Sequence, residues 1–498
     1  MRVLTDTNIF IYREDNRVVS DNLQKLTASL QTFGVSVLVH PKSLDDLLRD
    51  CDAQRKAVML SKVRAYPLLE KPPQYKNDAK YCALVGPINS PNSDVDNAIL
   101  YSVYRDAVDF LITEDKEIHE KARKTSIEDR VLLISDALRF MDIYFAGDHV
   151  ITPPALVQQP AYNLNLSDPI FDSLKACYPE FEAWFKKISR EGRRSWVYVQ
   201  EDGTIGALLI YKVEDEQITA TPTLPRKKRL KVSSFKVTHV GYKIGELFIK
   251  IITHIAQEHS IDEIYFTVFP GVDDRLIELT SEYGFRKAGA NCRGEEIYIK
   301  QLTAVASEVY AMRPLDIASR YYPSFYDGPL VRKFVVPIRP EYRDKLFTDI
   351  CERQLHQIEC NGFLVEGNTI RKAYLCHTKS KKMQPGDIII FYVGKLQNIA
   401  TLGVVESVDY GLMGGLNLLR RVGKRTVYSQ TELESIGRKP TTVIMFRYHF
   451  HFQKTIAYKT LNAKKILKGP PQSVTQISDD QYQRILALDG IDERYIVH

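Results

Sequence analysis

The sequence predicts a multidomain chain: an α/β piece with a parallel sheet, then an α+β piece, then a small β-barrel. Three observations carry this reading. At 498 residues the chain is too long for one ordinary core, and its length suggests about three domains. Two Pro-marked polar stretches, residues 151–160 and 303–330, cut it near positions 150 and 320. The order of apolar runs and amphipathic stretches differs among the resulting pieces, which are taken as residues 1–150, 155–305 and 330–498.

In the first piece, short apolar runs at Val3-Leu4, VSVLV (35–39), FLIT (110–113) and VLLIS (131–135) read as strands. Helical patterns such as LDDLLRDCDAQRKAVMLSKV lie between them, and this alternation implies a parallel sheet with helices on both faces. The second piece opens helically with FDSLKACYPEFEAWFKKI. Strands follow at SWVYVQ, GALLIYKVE and VSSFKVT, then a helix GELFIKIITHIAQEHS, the strand EIYFTVF, a helix DDRLIELTSEYG and the strand EEIYIKQL. The third piece is strand-rich, with KFVVPI, GDIIIFYVG, ATLGVVESV and TVIMFRYHFHF, and has helices near 341–350 and 479–488; a barrel with peripheral helices is expected.

Composition narrows the class. Apolar residues at 44% and charged residues at 26% are those of a folded globular protein. No run approaches the roughly 18 apolar residues of a membrane span, and the start MRVLTDTNIF has no apolar leader, so a cytoplasmic location without membrane contact is expected. The 7 cysteines are scattered singly, which argues against a disulfide frame or a zinc knuckle. The net charge of +6 is uneven: residues 331–498 hold 26 Lys and Arg against 16 Asp and Glu, a net of +10, which suits a polyanion such as RNA.

Acids collect where the first piece's strands end. Asp6-Thr7-Asn8 follows the first strand, Asp45-Asp46 comes soon after the second, and Thr113-Glu114-Asp115 closes the third. Asp94 and Asp96 open the helix before that third strand. Ligands of open parallel sheets gather at the carboxyl ends of strands. Carboxylates crowded there raise one another's pKa, and Mg²⁺ or Mn²⁺ would remove the penalty. Capping of helices and turns is the plainer explanation, but it does not account for Asp6 and Asp115 both ending strands.

Taken together, these residues resemble a PIN-domain nuclease over roughly residues 1–145. The resemblance implies an acidic site of Asp6, Asp46, Asp96 and Asp115, with Asp45 competing for the second position and Asp94 for the third. Asp6, Asp94, Asp96 and Asp115 are the metal-ligand candidates, and Thr7, Asn8 and Thr113 would orient them through hydrogen bonds. The chemistry implied is metal-assisted phosphodiester hydrolysis.

The element order of the second piece is similar to a GNAT acyltransferase over about 160–302, which implies acetyl-CoA as ligand. The family's Gln/Arg-x-x-Gly-x-Gly/Ala turn corresponds to Val240, Gly241, Tyr242, Lys243, Ile244 and Gly245, where only Gly245 matches. In the family, a tyrosine general acid often precedes the Gly of a Gly-Phe pair by four residues. Here the pair is Gly284-Phe285 and that position is Thr280. Arg226, Lys227, Lys228 and Arg229 form a basic run that could contact a nucleic-acid backbone or sit solvated at a hairpin tip. In the third piece, QPGDIIIFYVGKLQNIATLGVVESV resembles the core hairpin of the PUA-like superfamily, which includes EVE and ASCH domains. That implies binding of RNA or a modified base, with Tyr392 among the aromatics available for stacking.

The combined expectation is a Mg²⁺- or Mn²⁺-dependent endoribonuclease, with family association extending to the toxin of a toxin–antitoxin pair and an antitoxin partner. One alternative is an N-acetyltransferase acting on RNA, charged tRNA or a protein. A second is a non-catalytic nucleic-acid sensor.

Overall fold

The computed structural model describes residues 1–6, 9, 21–49, 52–63, 66–145, 156–200, 202–238, 243–271, 274–347, 369–489 and 491–498. It is a multidomain α/β structure whose strands fall into four sheets. The chain divides into two compact units, one of residues 1–151 with 411–441, the other of residues 152–410 with 442–498.

The first unit is built on a four-stranded sheet in the order β2-β1-β3-β4, with β1 Arg2–Thr5, β2 Ser36–Val39, β3 Phe110–Ile112 and β4 Val131–Leu132. Every ladder in it is parallel. The strands are short and almost wholly apolar because both faces are covered. Leu4 and Leu111 pack with Ile99, Val103 and Ile118 from the flanking helices. The expected run 131–135 is a strand only to Leu132; Ile134–Phe145 is helical, started where the Glu114 carboxylate accepts the Ile134 N–H at 2.9 Å. The long helical pattern at 44–63 is two helices, Ser43–Leu48 and Ala53–Val63.

Residues 411–441, expected within the third piece, belong to this first unit. They form two helices, Gly415–Val422 and Gln430–Ile436, the second opened by a capping box of Ser429 and Glu432. Arg420 pairs with the buried Asp109, Lys424 with Asp136 at 3.5 Å and Arg425 with Asp129 at 3.2 Å. Part of the basic excess in the last third is thus spent on acids of the first unit.

The second unit carries an eight-stranded sheet in the order β5-β6-β7-β9-β10-β12-β11-β8. Its strands are β5 Leu156–Pro160, β6 Arg194–Val199, β7 Ile205–Ile218, β8 Ala220–Thr221, β9 Leu224–Val237, β10 Glu263–Val268, β11 Arg286–Asn291 and β12 Glu296–Gln301. The helices Asp172–Cys177 and Phe181–Arg190, separated at Tyr178-Pro179, cover one face, with Phe171, Phe181 and Phe185 against Leu208 and Ile210. The helix Ile244–Glu258 covers the other with Leu247, Phe248 and Ile252. Only β9 and β10 run parallel, and that pairing is brief. It spans Arg229↔Glu263 to Lys231↔Tyr265, although β9 continues to Val237 and β10 to Val268. Beyond Lys231, β9 keeps its ladder to β7, and β10 keeps its ladder to β12. The strands part, and each turns a backbone edge toward the gap.

The same unit holds a six-stranded sheet, β15-β18-β17-β16-β14-β19. A short pair, β13 Phe325–Tyr326 with β20 Ile496–Val497, lies beside it in the chain order. The six strands are β14 Lys333–Ile338, β15 Arg371–Cys376, β16 Ile388–Val393, β17 Asn398–Leu412, β18 Thr441–Ala457 and β19 Thr475–Ile477. Among the described residues no ladder joins β15 to β19, so the expected barrel is not seen closed there. A helix does the covering instead. Tyr482, Ile485 and Leu486 of Asp479–Asp489 pack with Ile388, Ile390 and Val404.

Candidate functional site

The acidic residues of the first unit divide into two groups. β1 and β3 are neighbours, with Thr5 opposite Ile112, so the residues just after them face each other. Asp6 is 3% exposed, and its carboxylate accepts the Thr113 hydroxyl at 2.8 Å; the same hydroxyl oxygen accepts the Asp115 N–H at 3.0 Å. Asp115 also caps the helix Lys116–Lys124, accepting the Ile118 N–H. Asp96 sits one turn into the helix Pro91–Tyr104, whose cap is Ser90. Burial, then the charges of Asp115 and Asp6, push its carboxyl up to about 7. Asp6, Asp96 and Asp115 therefore share one electrostatic environment.

Asp94 and Asp46 are engaged elsewhere. Asp94 takes Lys42 at 2.5 Å, Lys76 at 2.9 Å and the Tyr75 hydroxyl. Burial opposes its ionisation, but these donors hold its carboxyl well below the usual range. Asp46 forms an ion pair with Arg49 on its own helix. Thr7 and Asn8 lie outside the described residues. Among the described residues, no group of three or more His, Cys, Asp or Glu is placed to hold a metal ion.

The raised Asp96 carboxyl has a consequence for stability. The folded chain binds this proton more tightly than the unfolded chain, whose carboxyl has the ordinary value of 3.8. The favourable contribution is complete below about pH 4 and lost as pH rises to about 7. In a chelator at pH 8, Asp96→Asn is expected to stabilise the first unit by about 1–3 kcal/mol. The gain should vanish near pH 4, which hydrogen exchange at the two pH values would test.

A different site emerges in the second unit. A cavity of ≈ 470 Å³ lies between the two helices on the sheet face and the parting of β9 and β10. Its walls include Tyr178, Phe181 and Trp184 from the helical side, Lys231, Ser233 and Ser234 from β9, Thr267 from β10, and Asn291, Cys292 and Glu295 from the β11–β12 turn. Glu295 is 6% exposed and accepts three hydrogen bonds: from the Tyr178 hydroxyl at 2.7 Å, the Thr267 hydroxyl at 3.1 Å and the Asn291 amide at 2.6 Å. Asn291 in turn accepts the Glu295 N–H, which locks the turn around Gly294, at φ +82°. Burial, and then the Glu295 carboxylate, push the Tyr178 phenol above its ordinary value. None of Tyr178, Thr267, Asn291 and Glu295 was singled out by the sequence. The one available signal was a polar turn, NCRGE, placed directly before an apolar strand.

Other expected residues fall away from this cavity. Thr280 is 1% exposed and donates to the Leu276 carbonyl within its own helix, so it offers no acid to a ligand. Gly284 has φ +91°, and a Cβ there would strike the Arg320 carbonyl, so that glycine serves packing. Val240, Gly241 and Tyr242 lie outside the described residues. Lys243 caps the helix Ile244–Glu258 in the left-handed region, φ +50° and ψ +26°, the conformation a glycine adopts without strain. Gly245 packs closely on Leu279. Glu246, in the first helical turn, accepts the N–H groups of Ile370 and Arg371 at 2.9 and 2.8 Å.

The basic run is not a free patch. Arg226 pairs with Asp215, Lys227 and Arg229 with Glu263, and Lys228 donates to the His259 carbonyl. β9 lies between β7 and β10, whose acids face it. Tyr392 is 1% exposed and belongs to the apolar core of the six-stranded sheet, so it presents no ring to a base.

No family model and no curated protein matches the chain. Among solved structures it is similar to ASCH from Zymomonas mobilis, at 16% identity over 32% of this chain and 95% of that one, with a TM-score of 0.24. It is also similar to a chain of the NatC complex bound to Gag peptide and CoA, at 15% identity over 30% of this chain and 99% of that one, with a TM-score of 0.21. Nourseothricin acetyltransferase aligns at 18% identity over 22% of this chain and 62% of its own, with a TM-score of 0.17. No helix among the described residues is long and apolar enough to cross a membrane.

Proposed function

We propose that the second unit is an N-acyltransferase that takes its acyl group from a donor of the acetyl-CoA class and passes it to an amine in the cavity beside Glu295. The observation that carries this reading is the meeting of cavity and gap: the pocket is lined by both β9 and β10 where their pairing stops. Two unpaired strand edges suit an extended amide-containing arm, which can hydrogen-bond to them as an added strand would. The helix Ile244–Glu258, next in the chain after β9, is capped by Lys243, and a helix N-terminus favours an anion. Glu246 would oppose one there, but its carboxylate already accepts two backbone N–H groups. These features support a donor of that class.

When bound, the donor supplies an activated acyl thioester. Glu295 accepts the proton released as the amine nitrogen forms its bond to the acyl carbon. Tyr178, whose hydroxyl donates to Glu295 at 2.7 Å, would supply a proton to the leaving group and recover one from Glu295 through that hydrogen bond. The test is calorimetric titration with acetyl-CoA, followed by thiol release in the presence of a library of primary amines. Binding with amine-dependent release supports the reading. No binding and no release would discard it.

A second reading keeps RNA cleavage for the first unit. It is favoured by the shared environment of Asp6, Asp96 and Asp115, in which Asp96 holds a proton near neutrality. Incubation with total RNA and Mn²⁺ or Mg²⁺ tests it. Cleavage is expected from the parent chain and not from Asp6→Asn/Asp115→Asn, and equal cleavage by both would remove the assignment. An RNA or antitoxin partner belongs with this reading.

A further inference from the structure

We propose that the amine accepted in the cavity carries its own anion, a carboxylate or a phosphonate, and that Lys231 holds it. The proposal rests on the acyltransferase reading for the identity of the site, and on the balance of charge around the cavity for the class of ligand.

Among the wall residues, Lys187, Arg193, Lys212, Lys231 and Arg293 are basic, and Glu180 and Glu295 are acidic. Most of these charges are already satisfied within the chain. Glu180 pairs with Arg293, Arg193 with Glu191 at 2.6 Å, and Lys212 with Glu214 at 2.6 Å. Glu295 is held by three neutral donors and is buried. Lys187 also lacks a carboxylate partner among the described residues, but it is exposed on its helix, whereas Lys231 is not. Lys231 is half-buried on a central strand, and among the described residues it has no carboxylate within ion-pair distance; its ammonium lies 5.6 Å from the centre of the Tyr265 ring.

Its position in the sheet sharpens the point. In the β7–β9 ladder Lys231 stands directly opposite Lys212, and both line the cavity. Like charges facing each other across a ladder are destabilising. Glu214 neutralises Lys212, but Glu214 is also bound by the Tyr265 hydroxyl. Lys231 is thus a half-buried positive charge on the cavity wall without a counter-charge, and an anion on a ligand would supply it.

Geometry then relates the two ends of the ligand. Lys231 is the last residue of β9 paired with β10, and Thr267, two residues beyond its partner Tyr265, touches Glu295. Thr267 and Tyr265 share a face of β10, since side chains alternate along a strand. An amine presented to Glu295 thus has a cation within reach of a short side arm. The cavity volume is in the range of small-ligand sites, which favours a compact amino acid or aminophosphonate.

The experiment is calorimetry on the full chain without any acyl donor, using three probes of similar length: γ-aminobutyrate, 3-aminopropylphosphonate and butylamine. The anionic amines are expected to bind at least about tenfold more tightly than butylamine. Lys231→Met should remove that preference, and Lys231→Arg should keep it. The carboxylate and phosphonate arms show which anion is preferred. Equal binding of all three probes by the parent chain, a comparison that needs no variant, would overturn the proposal, as would a preference that survives Lys231→Met. If the anionic amines bind through Lys231 and no thiol is released from acetyl-CoA, the anion site stands and the acyltransferase reading falls.

Discussion

Glu295→Gln is expected to lower amine acylation by about 10²- to 10⁴-fold, the range for loss of a positioned general base. The substitution keeps the volume, replaces one acceptor oxygen with an NH₂ donor that the Tyr178 and Thr267 hydroxyls can turn to accept, and removes the basicity. Tyr178, Thr267 and Asn291 surround it at hydrogen-bond distance, so the amide can be held in place of the carboxylate. The loss should therefore fall on kcat, with KM for the amine nearly unchanged. Tyr178→Phe should lose less, because solvent entering the open side of the cavity can protonate the departing sulfur. The pH profile separates chemistry from folding: the parent rate should rise with the ionisation of a base, and that limb should be missing in Glu295→Gln. A variant that acylates amines at the parent rate would show that Glu295 only shapes the turn.

Why the sequence pointed first to another part of the chain follows from how the two sites are built. Asp6, Thr113 and Asp115 are local events, each at the end of a short apolar run, and an apolar run that stops at an acid can be read by eye. Their meeting needs only that β1 and β3 be neighbours, which strand–helix alternation already suggests. Glu295 is assembled from distant contributions. Its bond to Tyr178 joins residues 117 apart, and Thr267 arrives from a third element. No spacing rule connects them.

The element order of the second piece was legible for the same local reason. Its apolar runs are long and its turns are marked by Gly203, Gly284 and Gly294. What could not be read was the partners of charged residues. Arg226–Arg229 looked like a free basic tip, yet the acids that neutralise it come from β7 and β10. Tyr392 was expected among the aromatics available for stacking from the PUA-like resemblance, but all six residues of β16 are buried. A strand covered on both faces has no outward side, and covering is a tertiary property. The excursion 411–441 was missed more completely. Its two helices interrupt a pair of long strands, and nothing local says that they fold against residues 1–151.

That excursion leads to the second large effect. Asp109 stands just before β3, and its side chain is 2% exposed. One carboxylate oxygen accepts the Arg2 N–H at 2.6 Å, and the other accepts the Arg420 Nε at 2.6 Å. Arg420→Ala would leave a buried carboxylate with one backbone donor. Breaking a buried pair from one side costs about 3–5 kcal/mol. Arg420 is partly exposed, so water entering the vacated space should reduce the loss to about 2–4 kcal/mol. Hydrogen exchange of peptides covering β1 and β3 would report it as a loss of protection confined to the first unit. Asp109→Asn/Arg420→Ala should recover much of the loss, because the neutral amide no longer needs a counter-charge. If the double variant were as unstable as Arg420→Ala alone, the arginine would act through packing of its stem rather than through charge. Either outcome bears on how the first unit can be studied: a fragment ending at residue 151 lacks Arg420, Lys424 and Arg425, and on the electrostatic account it carries Asp109 uncompensated.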